Sequence, residues 1–275
     1  MTEHSCRLVF RLAGLLLAGL ILDSCATLPV TAKELASHRA HYNIRLAKTA
    51  QGAGLVAARG VMTMVFEKSC EGWVLRQQMS MTMETSDGQT IEQETRFGGL
   101  ESFDGLKYRF GSFSGALQNK TNYRGEAVLA KPGAGGQARY VEPEATTFDL
   151  PAGTMFPASH TQLLIEEAKK GKKILVGPLF DGTEGKGAEE VSAVIGPLRK
   201  AGAFKLTIQD PLVNQPGWFI RMAVFDIDQQ DPAPSYEMGF IQLENGVSPY
   251  LEIDYADFSL VFELQKLEAL PAPHC

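Results

Sequence analysis

Catalytic signatures are scarce in this chain. It holds no H-E-x-x-H pair, no spaced C-x-x-C set, no G-x-S-x-G elbow and no phosphate-binding glycine loop. Their lack removes the zinc, serine-hydrolase and nucleotide chemistries that those spacings serve, and nothing in the chain calls for a cofactor. Cationic side chains are outnumbered: 26 Lys and Arg against 32 Asp and Glu give a formal net charge of −6. That balance excludes the basic stripe of a nucleic-acid interface and argues against purely electrostatic docking on anionic lipid. Cysteine is confined to Cys6, Cys25, Cys70 and Cys275.

The first of these cysteines lies in a segment with the parts of an export signal. Arg7 and Arg11 supply a positive end, and Leu12 to Leu22 form an apolar run of suitable length. The run is shorter than the roughly 20 residues of a spanning helix. Small residues offer cleavage sites after Ala26 or Ala32. Alternatively, Leu22-Asp23-Ser24-Cys25 is similar to a bacterial lipoprotein signal in which Cys25 becomes the lipidated first residue, although Asp23 fits that pattern poorly. Residues 1–32 are therefore read as a signal peptide and 33–275 as a single domain destined for the periplasm.

Processing removes Cys6 and either removes Cys25 or caps it with lipid. Cys70 and Cys275 remain. An even pair in an oxidising compartment is most simply a disulfide; two unpaired thiols are the alternative. A redox-active pair is disfavoured, because catalytic dithiols usually sit in C-x-x-C. The bridge would close a loop of about 206 residues, worth at most roughly 5 kcal/mol by chain entropy.

Beyond residue 38 the dominant period is two. In WVLRQQMSMTME, residues 73–84, one face carries Trp73, Leu75, Gln77, Met79, Met81 and Met83, and the other is mostly polar. That alternation predicts a half-buried strand. Ser86-Asp87-Gly88 is turn chemistry for a hairpin. The same alternation in FKLTIQ (204–209), WFIRMAVF (218–225), YEMGFIQL (236–243) and DFSLVFEL (257–264) brings the expected total to 12–14 strands. One helix is predicted, at about 158–170. Its signals are Pro157 at the start, Ser159 with Gln162 as a capping box, Glu166 and Glu167 early, Lys169 and Lys170 near the end, and Gly171 as a stop. The expected fold is mostly β: one spiral-like, largely antiparallel sheet forming an incomplete barrel around that helix.

Candidate functional residues are few. Met62 and Met64, then Met79, Met81 and Met83, fall on single faces of two successive strands. Together with Trp73 and Leu75 they make a candidate apolar face for a ligand or partner. Thioethers also select copper(I), a narrower reading beside that of adaptable core. His38 and His41, three apart on a strand, face opposite ways and suit no shared metal. His160 is read as structural, and Asp181-Gly182-Thr183-Glu184-Gly185 as a turn that lacks the alternating acids of a calcium loop.

Four stretches taken together resemble the cell-envelope-integrity EipB family of exported proteins: SHRAHYNIRL, FEKSCEGW, LPAGTMFPASHTQLLIEEAKKGKK running into LFDGTEG, and the terminal cysteine. The resemblance spans nearly the whole mature chain. It implies a β-spiral of about fourteen strands, a disulfide mapping onto Cys70 and Cys275, a periplasmic location and no established catalysis. It further implies a protein partner, with a TPR-repeat protein among those proposed, or a likeness to carriers of lipids and lipoproteins. The expected function is thus a non-enzymatic periplasmic protein that supports envelope integrity by binding a protein on its curved sheet. The alternative is a carrier that holds acyl chains in the half-barrel.

Overall fold

The computed structural model describes residues 34–116, 119–227 and 233–275. The expected signal peptide, Cys6 and the lipidation candidate Cys25 lie outside the described residues. Eight strands precede the helix: β1 (His38–Thr49), β2 (Leu55–Lys68), β3 (Gly72–Thr85), β4 (Thr90–Ser102), β5 (Lys107–Ala116), β6 (Asn119–Leu129), β7 (Gly136–Glu142) and β8 (Thr146–Leu150). After α1 (Pro157–Lys169) come β9 (Ile174–Leu179), β10 (Glu189–Ile195), β11 (Gly217–Asp226), β12 (Tyr236–Leu243), β13 (Tyr250–Asp254) and β14 (Phe258–Ala269).

All fourteen strands form one antiparallel sheet, ordered β8-β7-β6-β5-β4-β3-β2-β1-β14-β13-β12-β11-β10-β9. The two meanders meet where the first strand pairs with the last. The helix carries the chain from one edge of the sheet to the other. The sheet does not close. A single parallel bridge, Met155 to Leu179, links the segment after β8 with the end of β9.

Alternation places one apolar side chain in two on the inner face, the face that carries the helix. Ala158, Leu164, Ile165 and Ala168 of α1 pack with Val191, Ala193, Ile195, Trp218, Ile220 and Trp73. A second cluster gathers Tyr42, Ile44, Met62, Met81, Leu260, Phe262 and Leu264 around the β1–β14 seam. A third is aromatic: Phe97, Tyr108, Phe110, Tyr140, Phe156 and Phe180. Burying such side chains stabilises by about 1.5–3 kcal/mol each.

The β3–β4 hairpin turns at Gly88, whose φ of +83° needs a residue without Cβ. FKLTIQ is a correction: residues 204–209 lie in the irregular connection between β10 and β11 and join no strand. Phe204, Leu206 and Ile208 nonetheless pack on the second cluster. Burial of every second side chain thus produces a strand-like period without a ladder. The expected capping box is also corrected. The N-cap residue is Phe156, Pro157 opens the helix, and no side chain of the helix caps it. Nor do acidic residues occupy the first turn; Glu167 instead pairs with Lys170 at 2.8 Å and Lys172 at 3.1 Å.

Candidate functional site

The row of methionines is where alternation puts it, but its surface is not open. Met62 faces Met79 across the β2–β3 ladder, and Phe66 faces Leu75. Met62, Trp73 and Met81 are buried, and Met64, Met79 and Met83 pack against the second cluster. The expected apolar face for a ligand or partner, at Met62, Met64, Trp73, Leu75, Met79, Met81 and Met83, is largely covered by the chain itself, while Met64, Trp73 and Leu75 also line a pocket. Among the described residues no group of three or more His, Cys, Asp or Glu is placed to hold a metal ion.

Residues 204–213 cover the methionines, and two further parts of the chain cover the rest of the inner face. The first is α1, whose N-terminus is capped from another strand. Glu101 of β4, 2 % exposed, accepts hydrogen bonds from the amides of Ala158 at 2.7 Å and Ser159 at 2.9 Å, and also from the Ser159 hydroxyl. A carboxylate here meets the unsatisfied N–H groups and the positive end of the helix dipole. Burial nevertheless outweighs those bonds and raises the Glu101 pKa. Strand alternation cannot announce this role, because Glu101 is an isolated acid at an inward position. His160, in the first turn of α1, is buried, its Nε2 has no partner, and burial pushes its pKa down to about 4.

The second covering segment, residues 180–188, crosses the aromatic cluster between β9 and β10. Tyr108 donates to the carbonyl of Asp181 at 3.1 Å and Ser112 to that of Thr183 at 3.0 Å. Tyr140 donates to the carbonyls of Glu184 at 2.6 Å and Lys186 at 2.9 Å. Gly182 takes φ +72°, and a Cβ there would lie 2.4 Å from the Phe110 ring. Lys186 fastens the far end on Asp226 and Glu189, each at 2.7 Å. The Asp181 carboxylate accepts from the amide and hydroxyl of Thr183, a local turn. The segment that faintly resembled a calcium loop is a hydroxyl-tied strap.

Beneath the helix N-terminus a cavity of about 160 Å³ remains. Met64, Phe66, Trp73 and Leu75 line it, with His38, Glu101 and Gln242 as polar neighbours. His41, the other histidine of β1, lies with its Nδ1 3.1 Å from Thr63 Oγ1. The two rings do not meet, as their spacing predicts.

The outer surface has a different character at one edge. β9 exposes Ile174 (55 %) and Val176 (53 %) beside Val194 of β10. The amide of Ile195 donates to the carbonyl of Lys173. By the alternation of an antiparallel ladder, Lys173, Leu175 and Gly177 direct their backbone groups at β10. Ile174 and Val176 direct theirs outward, as does Pro178, whose carbonyl accepts from Met155 at 3.0 Å. At the centre of the sheet, Cys70, in the turn between β2 and β3, is bonded to Cys275 with the Cα atoms 5.7 Å apart. This ties the proline-rich tail beyond β14 to the β2–β3 hairpin.

These features define a class: an open, single-sheet β-spiral whose inner face is covered by one helix, a strap and the connection that precedes β11. The match to a family model described as EipB-like, over residues 29–271, makes the assignment specific: the chain belongs to the EipB-like family. It is 30 % identical over 253 residues, 86 % of this chain and 85 % of the other, to cell envelope integrity protein EipB of Brucella abortus (strain 2308). A crystal structure of a beta-barrel-like protein from Brucella abortus, a domain of unknown function, superposes with a TM-score of 0.80 at 26 % identity, covering 87 % of this chain and all of that one.

Proposed function

We propose that this protein supports cell-envelope integrity from the periplasm as a non-catalytic docking protein, engaging a protein partner through the exposed edge of β9. Its relative's name supplies the physiological frame. The observation that carries the docking reading is the edge itself: two apolar side chains more than half exposed, on the same residues whose backbone donors and acceptors point outward. An extended segment added there gains ladder hydrogen bonds and apolar contact together. The acyl-carrier alternative has less support. The inner face of the sheet, where an acyl chain would lie, is occupied by side chains of the helix, of the strap and of residues 204–213.

The test is complementation of a deletion strain challenged with detergent. Val176→Asp and Val194→Asp are expected to lose protection while the purified proteins melt like the wild type. Full protection by both variants would refute docking at this edge. Loss of protection by a control, Thr147→Asp on β8, would show that the assay does not resolve the edge.

A further inference from the structure

The bare edge of β9 is open at one end only. At its far end the chain itself has taken the outward groups: the Met155 amide donates to the Pro178 carbonyl at 3.0 Å, and the Phe180 amide to the Met155 carbonyl at 3.0 Å. A strand added beside Ile174 and Val176 therefore cannot run on past Pro178. It must extend the other way, past Lys173 toward the end of α1. Residues 169–173 there read KKGKK, four exposed cations in a chain whose net charge is −6. The Lys172 amide is spent on the Glu167 carbonyl, so beyond Ile174 an incoming segment meets side chains rather than a ladder. Lys170 and Lys172 share the Glu167 carboxylate at 2.8 and 3.1 Å, whereas Lys169 and Lys173 have no ion-pair partner among the described residues. The Ile195 amide bonds the Lys173 carbonyl, and from Ile195 the chain runs on to Arg199 and Lys200, both exposed. Two segments thus make the open end of the edge cationic.

We infer, resting on the reading of β9 as the docking strand, that the partner segment is an antiparallel strand followed by acidic residues. Apolar side chains at every second position lie beside Ile174 and Val176, and the aspartates or glutamates after them lie against Lys169 and Lys173. The direction follows from the sheet, where β9 pairs antiparallel with β10 and β10 with β11. Antiparallel addition sets the end of the incoming strand beside the start of β9, and opposite charges there fix its register. A second copy of this chain does not fit. Pairing two β9 edges about Leu175 would set Lys172 against Pro178, whose carbonyl Met155 already holds. A protein strand also uses the outward backbone groups of Ile174 and Val176, which an anionic lipid surface leaves unpaired.

Amide NMR of the exported chain, titrated with two synthetic peptides, tests the assignment. Both carry the alternating run TVTVTV; one ends in three glutamates, the other in three lysines. The glutamate peptide is expected to shift the Ile174 and Val176 amides and to bind at least about tenfold more tightly at low salt, a margin that shrinks in about 0.5 M sodium chloride. Lys169→Glu combined with Lys173→Glu, both at exposed positions, is expected to reverse the preference while the melting temperature stays unchanged. Equal affinity for the two peptides would overturn the acidic partner and leave docking at β9 standing. If neither peptide moves those amides, the docking reading falls and the inference with it. Sedimentation with phosphatidylglycerol vesicles that the double replacement abolishes, alongside amides unmoved by either peptide, would overturn it in favour of a lipid surface.

Discussion

The two free edges of the sheet are built in opposite ways. β8 is five residues long, TTFDL, with exposed Thr146, Thr147 and Asp149 and with Leu150 turned into the core. That is how soluble proteins blunt an edge against unwanted pairing: short, polar and charged. β9, ILVGPL, carries exposed Ile174 and Val176, and its only obvious defence is Pro178 at the end where Met155 already bridges. Both strands flank the same helix, so the difference does not come from position in the chain. An edge left adhesive beside one carefully blunted suggests use, and the proposal of a docking strand rests on that contrast.

The largest expected effect tests whether the contrast survives when the whole molecule is loosened. Cys70→Ser, or reductant, should lower unfolding free energy by about 3–5 kcal/mol, since the bridge spans 205 residues. Urea denaturation measures the loss. Because the bridge lies near neither edge in strand order, hydrogen exchange at Ile174 and Val176 should stay fast relative to their β10 partners. An unchanged urea midpoint would contradict the entropic role of the clip.

Next in size is the helix that joins the edges. Glu101→Ala strips the α1 N-terminus of its charged acceptor and should cost about 2–3 kcal/mol, with Glu101→Gln losing less. Equal stability of Glu101→Ala and wild type in urea would mean that relief of the buried charge cancels the lost hydrogen bonds.

A pH effect of similar origin follows from His160. Its folded pKa of about 4 lies below the unfolded value of 6.5, so the unfolded chain binds the extra proton first. Stability is then full above pH 6.5 and lost as pH falls toward 4. Between pH 7 and 4.5 the loss should be about 2 kcal/mol. The His38 pKa, lowered by burial, adds in the same direction, and the raised Glu101 pKa opposes it. His160→Leu should flatten the slope in urea titrations at the two pH values; an unaltered slope would place the proton uptake elsewhere.

The smallest stability effect sharpens the edge comparison most. Val176→Pro removes an amide that points away from β10, so the ladder loses nothing and stability should change by less than about 0.5 kcal/mol. A peptide or partner paired there would still lose a hydrogen bond. Leu175→Pro, one residue away, removes a ladder donor and should destabilise by about 3 kcal/mol or more. Equal melting temperatures for the two variants would contradict the assignment of outward and inward backbone groups.

Much of the fold could be read along the chain. Residues 73–84 alternate so regularly that their inner face was assignable residue by residue. Gly88 marked its hairpin, and Pro157 with Gly171 bracketed the helix. FKLTIQ shows the limit of the method, because a period of two reports one-sided burial and a connecting segment can have that without pairing. Glu101 and the strap escaped for a related reason. They work through partners 57 and about 70 residues away.

By itself, the order of residues determined that this chain makes strands, roughly where each begins, which side of each faces inward, and that one helix interrupts them. Those are consequences of local stereochemistry and of water's rejection of apolar side chains, which act within a few residues. Only the tertiary structure decided that the inner face is filled, that a distant carboxylate holds the helix, and that one edge is blunt and the other bare. Those outcomes depend on which strands become neighbours, and that is settled by the packing of the whole sheet.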